Sequence, residues 1–503
     1  MEIGKFTLES LTTGMYEQPL IIYREYLQNA ADSLEDAVRN HLLSDREMRV
    51  DVKINTIDRS IEIFDNGSGI VSDMAETVLM SIGTSQKVHT ESRGFRGIGR
   101  LGGISYCEQL EFETTAFGES IGTRVSFDCS RLRELMLPGE NTSMSMEEVL
   151  LSSSSAEHFD VDEEEHYFIV RMVGVDERTG LLDSELVTTY LSQTAPVTYH
   201  PYFKMLADCI YGFLSENGVA LTEFPVSLSY DGKHPKPLNK AFSRHYVAGR
   251  GKDSDDDTIY EIETFKVTGA GQELLALGWY AKSSWLGMLK DETIRGMRLR
   301  KGNIQIGDEH TLDIIFKEAR FNGWTQGEVF VVDDKLIPNA RRDNFEQNNA
   351  YWELINALKA GIGSSITSQI REASKQRNDP AQKAVKAGQT FVKNVQAKQQ
   401  AGFNSGEEFT ATRESVENMV ARLSKAKVTR PELHQQQQET VQQLQTMLKT
   451  FDEDASFKTD KLKGVLSKKE KRVLQVASDV MTKYLDEVLL DTIVNDIVEE
   501  LSK

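Results

Sequence analysis

Three polar side chains early in the chain have a spacing that suits chemistry. Glu25, Asn29 and Asp32 lie four and three residues apart inside Pro19–Leu43, a stretch whose apolar pattern predicts a helix. That spacing puts all three on one helix face. Their neighbours Ile21, Ile22, Tyr26, Leu27, Ala30 and Ala31 are apolar. A carboxylate so placed can polarise a water, and an amide oxygen can hold a hard cation such as Mg²⁺. An exposed polar helix face would show the same spacing. A second group, Asp65-Asn66-Gly67-Ser68-Gly69-Ile70, directly follows the alternating run Ser60–Phe64. An aspartate at a strand end can accept a hydrogen bond from an exocyclic amine. Two glycines there leave the backbone open to a ligand, although Asn-Gly is also a turn former. The third group is Gly94-Phe95-Arg96-Gly97-Ile98-Gly99-Arg100-Leu101-Gly102-Gly103. Glycine at this density lets several N–H groups face an anion, and a following helix N-terminus would add its dipole. Just before it, Gly83-Thr84-Ser85-Gln86-Lys87 is small and polar with one cation, as a mobile flap over phosphates requires.

Two commoner nucleotide signatures fit poorly. Gly97-x-Gly99-x-x-Gly102 matches a dinucleotide fingerprint, but the preceding His89–Arg96 is polar and does not read as a strand. No G-x-x-x-x-G-K-[ST] loop occurs, which excludes a Walker-type site.

The elements that must position these groups follow from the rest of the pattern. Strands are expected at Arg49–Ile57, Ser60–Phe64, Gln109–Thr115, Thr123–Asp128 and Tyr167–Val175. Pro138–Glu165, with four serines at Ser152–Ser155 and the acids Asp160–Glu165, reads as a solvated loop. His158 and His166 flank those acids without metal-site spacing. A middle region, 191–375, mixes strands and helices and holds all four tryptophans; its Asp253–Asp257 reads as an acidic loop. From 376 to 503 the chain is rich in Gln, Lys, Glu and Ala and reads as helical, with a break near Pro431. Lys471–Leu501 reads as one amphipathic helix carrying Val473, Val476, Val480, Tyr484, Val488, Ile493, Ile497 and Leu501. That stripe suits either a dimer interface or packing on its own domain.

Composition narrows the classes. Hydrophobic residues are 39% and charged residues 27% of 503, which is ordinary for a globular chain. The net charge of −20 disfavours bulk binding to nucleic acid or anionic membrane. Three scattered cysteines, Cys107, Cys129 and Cys209, support neither a disulfide framework nor a zinc knuckle. No secretory signal pattern opens the chain and no apolar run spans a bilayer, so a cytoplasmic location is expected.

In their order, Glu-x-x-x-Asn-x-x-Asp, Asp-x-Gly-x-Gly, a lid and Gly-x-x-Gly-x-Gly resemble the GHKL ATPases: gyrase, heat-shock chaperone, histidine kinase and mismatch-repair proteins. The chain looks most like the ninety-kilodalton heat-shock chaperone branch. Gly122-Thr123-Arg124 resembles the last nucleotide motif of that branch, and Gly327–Asp343 resembles its middle-domain strand and catalytic loop. The resemblance implies an α+β fold: a Bergerat-type α/β sandwich at 1–190, an α/β middle domain at 191–375, and a mainly helical C-terminal region at 376–503 that is the candidate dimerisation element. It implies ATP and Mg²⁺. Glu25 would be the general base, Asn29 the Mg²⁺ ligand, and Asp65 the reader of the adenine amine with support from Thr123. Asp32, Gly67, Gly69 and Ile70 would line the pocket. Ser81, Thr84 and Lys87 would belong to the lid, and Gly94, Gly97 and Gly99 would cradle phosphate. Arg342, with Arg341 as rival, would reach the γ-phosphate. The implied activity is slow ATP hydrolysis driving a homodimeric, chaperone-like clamp on a protein partner. The alternatives are an ATP-gated scaffold controlling an effector in stress or phage defence, and a DNA-transacting ATPase, for which Arg295–Lys301 could face nucleic acid.

Overall fold

The structure, a computed structural model, describes residues 18–81, 99–137, 144–250, 253–428, 431–453, 457–458, 466–481, 484–485 and 487–501. The chain divides into two compact units, one through Ile370 and one from Arg371.

The first unit opens with α1, Ile21–Arg39. Its apolar positions Ile22, Tyr23, Tyr26, Leu27, Ala30, Ala31 and Leu34 are all buried, which gives the helix a core-facing stripe. His41, in the left-handed region at φ 59°, turns the chain away. Strands β1 (Val50–Asn55) and β2 (Ser60–Asp65) form an antiparallel pair with Val50 opposite Asp65. Helix α2 (Ser72–Met80) follows, then a 3-10 turn at Gly99–Ser105. Strands β3 (Gln109–Thr115) and β4 (Ile121–Asp128) lead into α3 (Cys129–Met136), α4 (Met146–Ser152), β5 (Ser154–Asp160) and β6 (Tyr167–Val173). After α5 (Ser184–Thr194) and α6 (Lys204–Glu216) come β7 (Val226–Tyr230) and β8 (Lys236–Pro237). The eight strands make one sheet in the order β5-β4-β3-β6-β2-β1-β7-β8. Within it β7 runs parallel to β1, and the other pairs are antiparallel.

Within the expected solvated loop at 138–165, of which 138–143 lie outside the described residues, Met146–Ser152 is helix α4 and Ser154–Asp160 is strand β5 instead. Ser145 and Glu148 form a reciprocal capping box that starts α4, and Val149 and Leu150 bury against the core. Strand β5 is polar because it is an edge strand whose outer face meets solvent.

Beyond the sheet lie β9 (His245–Arg250), β10 (Asp253–Thr258), β11 (Glu261–Thr268), β12 (Leu274–Lys282), β13 (Met288–Leu289), β14 (Gly296–Lys301), β15 (Ile304–Ile306) and β16 (Gln326–Val331). They form a three-stranded sheet, β10-β9-β13, and a five-stranded sheet, β11-β12-β16-β14-β15. The acidic stretch expected as a loop is strand β10. Its last aspartate, Asp257, is buried and accepts the N–H groups of Thr258 and Ser284 at 2.8 and 3.1 Å. Helices α7 (Asn349–Leu358) and α8 (Ser364–Asn378) complete the run.

A buried ionic network fastens this part to the first. Glu328 accepts hydrogen bonds from Arg300 and Tyr199, and from Trp279 Nε1 at 3.0 Å; Lys240 Nζ lies 3.2 Å away. Burial pushes the Glu328 carboxyl up, but Lys240 and Arg300 overcome this and hold it at about 2. Burial pulls Lys240 down to about 8. Arg300 also donates to the Gln193 carbonyl at 2.8 Å, and Arg298 to the Gln193 side chain at 3.3 Å. Arg298 and Arg300 are 1% exposed. They therefore do not face outward, as a nucleic-acid surface at 295–301 would need.

The second unit is helical: α9 (Pro380–Ala401), α10 (Gly406–Lys425), α11 (Pro431–Glu453), α12 (Lys468–Met481) and α13 (Glu487–Leu501). Phe403, Phe409, Phe451 and Phe457 cluster beside the α9–α11 core. The single helix expected at 471–501 is instead α12 and α13, with Tyr484 and Leu485 in the turn between them. Leu490, Val494 and Val498 of α13 pack with Leu474 and Met481 of α12. The break lets both helices bury an apolar face. Val473, Val476, Val480, Tyr484 and Val488 remain exposed. Among the described residues no helix is long and apolar enough to cross a membrane.

Candidate functional site

Glu25 is buried on α1, with Asp32 buried further along and Asn29 half-buried between them. The 3-10 turn packs onto this helix. Gly103 N–H donates to Tyr26 Oη at 3.1 Å. A Cβ at Gly99 would fall on the Glu25 carboxylate, so any larger residue there would push that carboxylate aside. Arg100 donates to the Ser81 carbonyl, which ties the same turn to the end of α2. Burial lowers the Arg100 guanidinium to about 10. Thr84, Lys87, Gly94 and Gly97 lie outside the described residues.

Asp65 ends β2 and is buried. Its Oδ1 accepts the Gly67 N–H at 3.0 Å. Ser68 N–H reaches back to the Ser33 carbonyl of α1 at 3.1 Å. Gly69 sits at φ 63°, and a Cβ there would fall on the Thr115 carbonyl. Ile70 N–H donates to Thr114 Oγ1 at 2.9 Å. Cross-strand pairing then sets one row over four strands: Asp65 opposite Phe168, Phe168 opposite Thr114, and Thr114 opposite Thr123. Directly opposed residues share a sheet face. This is the face packed by α1, since Ile63, Phe112, Val125 and the α1 residues belong to one core.

Arg342 lies more than three hundred residues along the chain and still reaches Glu25. Its Nε is 3.2 Å from Glu25 Oε1, and both side chains are nearly buried. Arg341 is exposed. Arg342 adopts φ 55°, a left-handed conformation that costs a non-glycine residue on the order of 1 kcal/mol. The loop is braced to hold it. Asn339 N–H donates to the Asn344 carbonyl at 2.9 Å, and Arg342 N–H to the Asn339 carbonyl at 3.1 Å. The Arg342 carbonyl accepts from Gly307 N–H at 2.9 Å and from Arg24 Nη1 at 3.2 Å, while Arg24 Nη2 reaches the Arg341 carbonyl at 2.9 Å.

The site also contains groups that the motif spacing did not reveal. Arg24, beside Glu25, is the clamp on the arginine loop. The hydroxyl of half-buried Tyr190 of α5 is itself buried near Arg24 and Glu25, and desolvation raises it above the ordinary tyrosine range. His166 donates from Nδ1 to the Gly67 carbonyl at 2.7 Å. His158 Nδ1 lies 3.2 Å from Thr123 Oγ1. Their only signal in the sequence was two histidines flanking an acidic run.

A bound nucleotide with its cation fits these residues. Both polar atoms of the Gln28 side chain are buried without a hydrogen-bond partner among the described residues, and Glu25 Oε1, buried beside them, faces Arg342 and Arg24 as ion pairs rather than as hydrogen bonds. Such atoms call for a polar ligand or water. Among the described residues no cluster of three His, Cys, Asp or Glu side chains could hold a metal. A cation here would take its remaining ligands from phosphate and water, as Mg²⁺ commonly does.

Residues 24–152, about a quarter of the chain, match the family model described as histidine kinase-, DNA gyrase B-, and HSP90-like ATPase. The matched segment runs from Arg24 to Ser152 and so contains Glu25, Asn29, Asp32, Asp65 and Thr123. It supports a GHKL-type ATPase domain, which implies ATP binding, typically with Mg²⁺, and suggests ATP hydrolysis in general. No curated protein matches the chain.

Proposed function

We propose that this chain hydrolyses ATP at the site built by α1, the Asp65 turn and the Gly99 turn, with Arg342 completing it. The observation that carries the reading is the Arg342–Glu25 ion pair, 3.2 Å across two parts of the chain far apart in sequence. Two surface arginines in an ordinary loop would have no reason to be braced in a strained conformation against one buried carboxylate.

The residue roles follow from the chemistry. Asp65 accepts from the adenine amine, and Thr123 supports it. Gly67, Gly69, Ile70 and Asp32 line the pocket, and Gly99 lets the turn close over phosphate. Asn29 would hold Mg²⁺, which when bound neutralises phosphate charge. With Arg342 on its carboxylate, Glu25 is a restrained base. A γ-phosphate competes for the guanidinium and frees Glu25 Oε1. That oxygen then takes a proton from water as the water oxygen bonds to the γ-phosphorus and the bond to the bridging oxygen breaks. The products are ADP and phosphate. Arg342 stays on the oxygens whose charge grows.

The wider reading is a chaperone-like clamp of the heat-shock type, cytoplasmic and homodimeric, acting on a protein partner. The exposed apolar stripe Val473, Val476 and Val480 of α12, with Val488 exposed on α13, supports self-association. A DNA-transacting role loses support because Arg298 and Arg300 are spent inside the fold. The test pairs calorimetry with phosphate release. The wild type should bind Mg·ATP and turn it over slowly. Glu25→Ala should bind without turnover, and Asp65→Asn should lose binding at least tenfold. A wild-type chain that gives no binding heat with Mg·ATP refutes the reading.

A further inference from the structure

We infer that His158 sets the nucleobase preference of the site by fixing the direction of the Thr123 hydroxyl, an inference that rests on the ATP-site reading above. The row Asp65–Phe168–Thr114–Thr123 extends by one residue onto the edge strand, where Thr123 is opposite His158. Thr123 is fully buried, and its Oγ1 lies 3.2 Å from His158 Nδ1. The register of that edge strand is pinned. Phe159 fills the notch over Gly122, where a Cβ would strike its ring, and the Arg124 guanidinium sits 5.4 Å from the centre of the same ring. A slip of one residue would move His158 to the other face.

A hydroxyl carries one proton. Thr114 donates its proton to the Tyr167 carbonyl at 3.0 Å, so towards the pocket it only accepts, and one lone pair already takes the Ile70 N–H. The Asp65 carboxylate also only accepts. Thr123 is the one hydroxyl of the row whose direction is otherwise open. With the His158 proton on Nε2, Thr123 donates to Nδ1 and becomes an acceptor towards the pocket as well. The polar members of the row, Asp65, Thr114 and Thr123, then all offer lone pairs to a base edge, either directly or through a bridging water. A 6-amino group matches such a row, and a 6-oxo group meets lone pair against lone pair. His158 acts through Thr123, so it is a positioning residue. It is exposed at the sheet edge, so substitution there leaves the core intact.

ATP and ITP differ at this edge, with a 6-amino group in one and a 6-oxo group in the other. The experiment measures both affinities by calorimetry with Mg²⁺ for the full chain and its variants. The wild type should prefer ATP. His158→Phe frees the Thr123 hydroxyl to rotate and donate, so the ATP-to-ITP ratio should fall about five- to tenfold, the worth of one neutral hydrogen bond. His158→Gln, whose amide oxygen accepts, should keep the ratio within about twofold. His158→Phe added to Thr123→Val should change nothing further. A ratio unmoved by His158→Phe, or lowered equally by Gln and Phe, overturns the inference while leaving the ATP site standing. A wild type that binds neither nucleotide overturns the site reading instead.

Discussion

Consider Glu25→Gln and Arg342→Met, made singly and together in the nucleotide-free chain. The paired side chains are only 8% and 9% exposed, so solvent and salt screen them little. Removing one partner of a buried pair costs about 3–5 kcal/mol when nothing replaces it. Here something does, in part: Arg24 Nη2 stays 4.0 Å from Glu25 Oε1. The expected cost of Arg342→Met is therefore about 2–3 kcal/mol. An unfolding entropy of about 2 cal/mol/K per residue, over the unit ending at Ile370, converts that into a Tm lower by about 3–4 °C. Glu25→Gln should cost a similar amount, because it removes the carboxylate charge facing the buried guanidinium. The double variant removes both charges and should cost no more than either single variant, giving a coupling energy of about 2–3 kcal/mol. Urea unfolding of the four proteins reads this directly. Additive single losses, with coupling below about 0.5 kcal/mol, would show that the two groups do not meet in solution. The restrained-base mechanism would then fall with them.

Three further outcomes are expected. Gly99→Ala should lower turnover at least tenfold with a smaller effect on ATP affinity, since the new methyl displaces the Glu25 carboxylate; unchanged phosphate release refutes the packing argument. The Glu328 carboxyl is held below its ordinary 4.5, so its contribution to stability is complete above about pH 4.5 and fades as pH falls towards 2. Glu328→Gln should cost about 3–5 kcal/mol at neutral pH and flatten that part of the acid profile in thermal melts. Replacing Val473, Val476 and Val480 together by Ser should weaken self-association at least tenfold in light scattering, while circular dichroism keeps its helical signal.

Much of the site was legible because its groups repeat at fixed short distances. Glu25, Asn29 and Asp32 sit on one helix by periodicity alone, and the Asp65 turn followed from an alternating strand that ends at an Asx-Gly pair. The strands under the site were found for the same reason: each buries one face, so apolar residues alternate. The misses have a common cause. Edge strands β5 and β10 are polar on most positions, because solvent covers what a neighbouring strand would have buried. Their composition therefore read as loop. Arg298 and Arg300 read as surface cations because sequence does not reveal a distant Glu328 or a Gln193 carbonyl. The same limit hid Arg24 and His158, whose roles depend on pairing across the fold.

The parallel strand β7 has a practical consequence. Strand β1 is held on one side by β2 and on the other by residues 226–230, so the sheet is finished only after the chain has passed through α5 and α6. A polypeptide halted at residue 190 would leave the β1 amide and carbonyl ladder from Val50 to Ile54 open to pairing with another molecule. Fragments meant to isolate the nucleotide-binding half should therefore run through Pro237. During synthesis, too, this half cannot close until some forty-seven further residues have emerged, from 191 through 237.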